Sequence, residues 1–313
     1  MPYIVSIILN ILTSGLPCCL LALGIFITYR LLDFADLTAE GSFLIGGSFA
    51  IALIRLQVDP FVATLVGMIG GGLCGYLTSV FYTKLRIPKL LSGIITMTLT
   101  TSISMLILGL TKGSSFFTNN VALSSEDYTI YSIFYYGDAM YRPIIKTAIM
   151  LVIVLIVFVG IYFFFGTEYG MAIRATGMND EMGRAQGINT KRASVVALTL
   201  SNSLIGLAGA MFCQDLRSCD IKVSSGFLVI GLASILIGES IFGKRSFKNR
   251  LISIGLGAIV YFIIVTVAIE LGFPTELKNL LYAVLIAIAL SIPLIQTLIK
   301  EAKKRRENEK CLS

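Results

Sequence analysis

Runs of about 20 apolar residues recur from Ile4 to Ile299, parted by short polar connections, and no other feature narrows the fold as far. They are far too long for barrel strands. In a bilayer only a helix satisfies its backbone hydrogen bonds within one such segment. The chain therefore reads as an all-α polytopic integral membrane protein with about nine transmembrane helices. Composition agrees, since 56% of the 313 residues are hydrophobic and 14% charged, against roughly 25% charged in a globular chain. One membrane domain, residues 1–299, fills the chain and leaves a short basic tail, residues 300–313.

A net charge of +7 would suit a nucleic-acid binder, but the charges are distributed as in a membrane topology. Of the 25 Lys and Arg, 18 fall in alternate connections and the tail: Arg30, Lys84 to Lys89, Arg174 to Arg192, Lys244 to Arg250 and Lys300 to Lys310. The positive-inside rule puts those segments in the cytoplasm, with the C-terminus inside and the N-terminus outside, and predicts a plasma-membrane protein contacting lipid and no nucleic acid. No basic residue precedes the first span, which argues against a signal peptide.

The first span, Ile4 to about Tyr29, is expected to be interrupted at Pro17. A short span from about Gly41 to Leu56 follows polar residues, the pattern of a broken or re-entrant segment lining a cavity. The third span carries Gly67, Gly71 and Gly75, four residues apart, so bare backbone lies along one face where another helix can approach. The fourth, about Leu90 to Leu110, is rich in hydroxyls, among them Thr98 and Thr101, which either bond back to their own helix or line a path. Asn202 is the most polar side chain in the middle of a later span. The loop from Thr111 to Arg142 holds Phe116, Phe117, Tyr128, Tyr131, Phe134, Tyr135, Tyr136 and Tyr141, an interfacial belt or a docking surface for an external partner. Cys213 and Cys219 flank a predicted external loop and are able to pair.

One polar segment, Gly166 to Arg192, separates two apolar runs: GTEYGMAIRATGMNDEMGRAQGINTKR. It reads as two short helices. The first runs from about Glu168 to Thr176, with Gly177 expected to end it in the left-handed conformation. Asn179 caps the second, Asp180 and Glu181 occupy its first turn, and Gly187 closes it. The pair leaves Met178, Met182, Ala185 and Ile188 exposed, a face for a partner rather than a core.

The pattern T-E-Y-G-M-A-I-R-A-T-G-M-N…A-Q-G-I-N resembles the coupling-helix loop of ABC importer permeases in the branched-chain amino acid permease family. A second motif, Leu32-Asp33-Phe34-Ala35-Asp36-Leu37-Thr38-Ala39-Glu40-Gly41-Ser42-Phe43, is similar to a subgroup of uncharacterised and aromatic amino acid permeases. The resemblance covers nearly the whole chain and implies a type II-like ABC importer permease fold. It implies that Glu168, Gly170, Arg174, Ala175, Gly177, Asp180, Glu181, Met182, Arg184 and Gly187 form the coupling segment docking in a groove on a cytoplasmic ATPase. It makes Thr38, Glu40 and Ser42 candidates for the translocation path, beside Thr98, Thr101 and Asn202. The partners implied are ATPase subunits, an extracytoplasmic solute-binding protein and a second permease copy, most simply a homodimer. The resemblance implies the membrane subunit of an ATP-driven importer of a small solute, an amino acid by likeness to the subgroup alone, since residues Asp36 to Gly41 depart from both the branched-chain and the sugar permeases.

Catalytic groups are missing. The chain has no His, no Ser-His-Asp set and no metal-ligand spacing. Gly238 to Lys244 matches most of a phosphate-binding loop, but Arg245 stands where a hydroxyl should meet magnesium and no strand precedes it. The chain is therefore expected to be a non-enzyme without a cofactor, ATP and magnesium being held by the partner ATPase. An ion- or proton-coupled secondary transporter is the alternative, weakened by the scarcity of ionisable residues in mid-span.

Overall fold

The computed structural model describes residues 3–111, 117–133, 142–243 and 246–272, with isolated helical positions at 280, 284, 287 and 291. Helix α1, Tyr3–Phe26, passes through Pro17 without a break and ends in a π-helical turn, Ile27–Leu31. The expected interruption at Pro17 is thus corrected to a continuous helix. Neighbouring helices bury this stretch, Leu16 to Ile27, almost completely, so packing outweighs the hydrogen bond that proline removes.

Helices α2 (Thr38–Arg55), α3 (Pro60–Thr83) and α4 (Lys89–Gly109) follow. Asp59 caps α3 by accepting from the Phe61 amide, with Pro60 in its first turn. A strand β1 (Asn120–Ala122) and a short helix α5 (Ile130–Ile133) precede α6 (Arg142–Phe164). Next come the short α7 (Glu168–Met178) and α8 (Asp180–Ala185), then α9 (Thr190–Leu216) and β2 (Ser218–Asp220). Helices α10 (Phe227–Phe242) and α11 (Phe247–Glu270) complete the described fold. The two strands pair antiparallel, Val121 opposite Cys219, and tie the loop after α4 to the end of α9.

Among the described residues, six helices are long and apolar enough to cross a membrane: α1 with its π turn, α3, α4, α6, α9 and α11. The shorter α2 and α10 run beside them. The expected ninth span, Asn279 to Ile299, lies outside the described residues except for the isolated helical positions 280, 284, 287 and 291, and Phe116, Phe134, Tyr135, Tyr136, Tyr141, Lys244, Arg245 and the tail lie outside them altogether.

The tightest packing joins α2, α3 and α9, and glycine explains it. A Cβ on Gly71 would lie 2.4 Å from the Asn202 carbonyl oxygen, and one on Gly75 2.3 Å from that of Leu198. Gly67 meets the Gly46 carbonyl in the same way, at 2.6 Å. Bare backbone lets these helices approach more closely than side chains permit, the main source of association where burial against lipid gives no advantage. Helices α10 and α11 pack by the same device, through Gly238 against Ser253 and Gly257 against Ser234. Gly238 therefore sits in a helix–helix contact, not in a phosphate-binding turn.

Candidate coupling and translocation site

At one end of the bundle, α7 lies against the body while α8 projects from it. Thr167 caps α7 by accepting from the Gly170 amide, and Glu168 stands exposed in the first turn. The expected stop at Gly177 is corrected: α7 runs on to Met178, and Gly177 keeps helical geometry. Its lack of a side chain serves packing instead, since a Cβ there would lie 1.8 Å from the Leu31 carbonyl oxygen in the π turn. Gly170 abuts Phe165 comparably, and Ile173 and Thr176 are buried on the same face. Arg174 donates to the Phe165 carbonyl at 2.8 Å and stacks over the Phe247 ring at 5.1 Å. Ala175 is half-buried beside it.

Helix α8 is held mainly by its own ends. Asn179 caps it through the Met182 amide, Gly187 closes it at φ +83°, and Arg184 pairs with Asp180 and donates to Thr190. Only Gly183 is buried. The outward surface carries Tyr169, Met171, Met178, Glu181, Met182 and Ala185; Ile188, expected to be exposed, is half-buried. Met178 is 89% exposed and Met182 59%, an apolar, deformable surface suited to a partner.

Sequence reasoning missed the link behind this segment. Arg30, in the π turn that Gly177 touches, holds Glu239 of α10 at 2.5 Å, and Arg250 of α11 approaches the other carboxylate oxygen at 3.5 Å. The Glu239 side chain is 1% exposed while those of Arg30 and Arg250 are 29% and 30% exposed, so the carboxylate is the desolvated member and depends on the two arginines for its counter-charge. Acidic residues within apolar runs are rare enough to have flagged Glu239. Its two partners lie 209 residues before it and 11 after, and nothing in the spacing joins them.

Helix α2 begins inside the bundle. Thr38 is level with Thr78, five residues before the end of α3 and so about 8 Å deep. Here a closed polar network forms. The Asp36 carboxylate accepts from the Thr38 amide at 2.9 Å and from Asn202 Nδ2 at 2.7 Å, while Ser42 donates to Asn202 Oδ1 at 2.7 Å. Thr38, Thr78 and Thr96 continue it through hydroxyl contacts of 2.7 and 2.8 Å. All six side chains are buried within the one chain. The network thus brings Thr38, Ser42 and Asn202 together and adds Asp36, which stands in the quoted motif four residues before Glu40.

Glu40 does something else. Its Oε1 accepts the Gly226 amide at 3.0 Å, so a carboxylate from α2 caps the start of α10, where the helix dipole favours it. Gly226 takes φ +94° to present that amide. The stacked rings of Phe43 and Phe227, 4.1 Å apart, hold the same junction. Thr98 and Thr101 are not part of it. Thr98 is exposed and Thr101 half-exposed on α4, each hydroxyl bonded back to its own helix, and Ser102 extends the outward row one turn from Thr98.

At the opposite end, Asp127 gathers the loop after β1. Burial alone would push its carboxyl up, but bonds from the Ser124 amide, Arg55 and Gln57 outweigh that and hold it below the usual carboxylate value. Tyr131 is buried, its hydroxyl donating to the Met211 carbonyl, whereas Phe117 and Tyr128 are exposed. A cavity of about 510 Å³ opens here, lined by Tyr131, Arg142, Lys146, Asp215 and Arg217. Cys213 and Cys219 are buried free thiols, so the pairing open to them is not made.

A bundle of long apolar helices with glycine-packed cores, interrupted by two short helices bearing an exposed apolar face, is the build of a multi-pass membrane permease. The family model described as "Branched-chain amino acid transport system / permease component" matches residues 7–290. The chain belongs to that family of ABC permeases. It is 31% identical over 281 residues to a tyrosine transport system permease protein of Clostridioides difficile, covering 90% of this chain and 89% of that one. It is 26% identical to the probable branched-chain amino acid transport permease protein LivH of Methanocaldococcus jannaschii, across 88% of this chain and 86% of the relative. Similarity extends to the ribose import permease protein RbsC of Escherichia coli, 22% identical over 93% and 86% of the two chains. No solved structure matches.

Proposed function

We propose that this chain is the membrane subunit of an ATP-driven importer for an amino acid, in a type II-like permease arrangement. The observation that carries the proposal is the backing of α7: its outer face is open, and its inner face rests on Leu31 and Phe247. A push delivered there by a cytoplasmic ATPase has two routes inward. Through Gly177 and Leu31 it reaches the π turn and, by Arg30 and Glu239, helix α10; through Arg174 and Phe247 it reaches α11. Glu40 then ties the far end of α10 to α2. Packed cores with discrete ties move as rigid pieces, so a small shift is passed on rather than absorbed.

On this reading the α7–α8 end is cytoplasmic, as its Lys and Arg require, with the N-terminus outside and the C-terminus inside. ATP and magnesium are bound by the ATPase. An extracytoplasmic binding protein delivers the solute to the opposite end. A second copy closes the path against the outward hydroxyls of α4, Thr98, Thr101 and Ser102, while Thr38, Ser42 and Asn202 brace the wall behind. The similarity to a tyrosine permease favours an amino acid. The experiment is co-reconstitution with the ATPase and binding protein in vesicles. Gly177→Val and Glu168→Lys are expected to leave insertion intact while lowering uptake per ATP hydrolysed at least about ten-fold, a coupling change near 1.4 kcal/mol. Unchanged uptake in both variants would remove the role given to α7.

One observation favours a second reading, a proton-coupled transporter: the buried Asp36 carboxylate deep in the bundle. Uptake at full rate in vesicles lacking any ATPase, abolished by Asp36→Asn, would establish it.

A further inference from the structure

Two adjoining cavities open at the α7–α8 end, between the turn joining α3 to α4 and the start of α9. One, of about 440 Å³, is lined by Lys84, Arg86, Lys191 and Arg192 together with Thr83 and Asn189. The other, of about 350 Å³, shares Thr83, Arg86 and Lys191 and adds Tyr82 and Arg184. Among the described residues, no carboxylate lines either cavity. Arg184 is already tied to Asp180 and Thr190. Among the described residues, no ion pair or hydrogen bond engages the side chains of Lys84, Arg86, Lys191 or Arg192, the bond from Arg192 to Asn189 coming from its backbone amide. Four cations thus face a shared space without a counter-charge, an arrangement whose self-repulsion a bound anion would relieve.

The site is built rather than draped. Arg86 holds the left-handed conformation at φ 56°, and the turn is fixed by bonds from the Lys84 and Leu85 amides to the Val80 carbonyl and from the Ile87 amide to that of Phe81. The backbone of the turn is thus set before any ligand arrives, while the four cationic side chains themselves are exposed. Apolar side chains stand among the cations. Leu85, between Lys84 and Arg86, is 61% exposed, and Leu90 and Leu91 in the first turn of α4 are 50% exposed. Leu73, Tyr76 and Leu77 carry the outward apolar surface further along α3. Phosphate charge at the helix ends with hydrocarbon directly alongside is the chemistry of a phospholipid at the headgroup boundary.

We propose that these cavities bind the phosphate headgroup of an anionic phospholipid, its acyl chains lying along the outward face of α3. Arg supplies forked donors to the phosphate oxygens, and Lys supplies point charges. The inference does not depend on the transport reading, since it uses only the membrane fold and the charges at one end.

The test is native mass spectrometry and lipid titration on the full chain in detergent, with phosphatidylglycerol, phosphatidylcholine and inorganic phosphate as probes. Phosphatidylglycerol is expected to be retained where phosphatidylcholine is lost, and millimolar inorganic phosphate to displace it only weakly. Each of Lys84→Gln, Arg86→Gln, Lys191→Gln and Arg192→Gln should weaken retention about five-fold, and the pair Arg86→Gln/Lys191→Gln about 25-fold. The thermal midpoint in phosphatidylcholine discs should match the unsubstituted protein in every case, separating lost binding from lost folding. Equal retention of both lipids, or unchanged retention in the paired variant, would overturn the proposal. Full displacement by inorganic phosphate would make this a free-anion site, and loss of the lipid on ATPase binding would assign the patch to that interface; either result defeats the lipid assignment.

Discussion

Two rows of hydroxyls on one helix, α4, meet opposite fates. Thr96, Thr100 and Ser104 face inward and are buried, Thr96 joining the network that runs through Thr78 and Thr38 towards Asp36 and Asn202. Thr98 and Ser102 face outward and bond only to carbonyls of their own preceding turn. Residue type does not separate the rows; register does, because positions four apart share a face. The inner row fixes how α2 enters the bundle. The outer row leaves a polar stripe on a surface otherwise made of Leu90, Ile94, Leu99 and Ile103, available to a path or a second copy. A hydroxyl that returns its bond to its own helix costs little in lipid, so the outer row is free to serve function while the inner row serves structure.

Substitutions can break this contrast in order of effect. Gly71→Leu should be the most damaging, since even a Cβ would lie 2.4 Å from the Asn202 carbonyl; a cost above about 4 kcal/mol is expected, seen as loss of folded protein after extraction. Normal yields would show that α3 and α9 are not so closely packed. Asn202→Ala should cost about 3 kcal/mol in chemical unfolding, because it leaves an Asp36 oxygen and the Ser42 hydroxyl buried without partners. A cost below about 1 kcal/mol would mean that water reaches the network.

A milder test lies at the other end of the bundle. The carboxyl of Asp127 is held below its usual value, so the stability it contributes is fully present above the unfolded value, about 3.9, and is lost below it as pH falls through the lower folded value. Protection of the β1–β2 amides against exchange should drop below about pH 4, and Asp127→Asn should remove that dependence. The smallest effect on stability belongs to the outer row. Thr98→Val with Ser102→Ala should change unfolding by no more than about 0.5 kcal/mol while uptake falls; an equal loss of both would place that row in the core after all.

The all-α build and the rough limits of the long spans were legible because apolar runs of bilayer length admit one secondary structure. Asn179 and Gly187 could be read as caps because capping is local, decided within four residues. Gly177 shows where local reading stops. As a glycine after a short helix it looks like a terminator, yet it remains helical because the π turn at Leu31 presses against it. Pro17 is the mirror case, a residue expected to interrupt a helix that its neighbours keep whole.

Glu40 and Asp36 divide the matter most sharply. The sequence by itself determined that this chain lies in a membrane as helices, since composition and the length of the apolar runs settle it. Which acid caps α10, which closes a network with Asn202, and which arginines reach Glu239 were decided only when residues up to 209 apart were brought together. Partner choice depends on distance and direction in space, and those arise from how helices pack rather than from where residues stand along the chain.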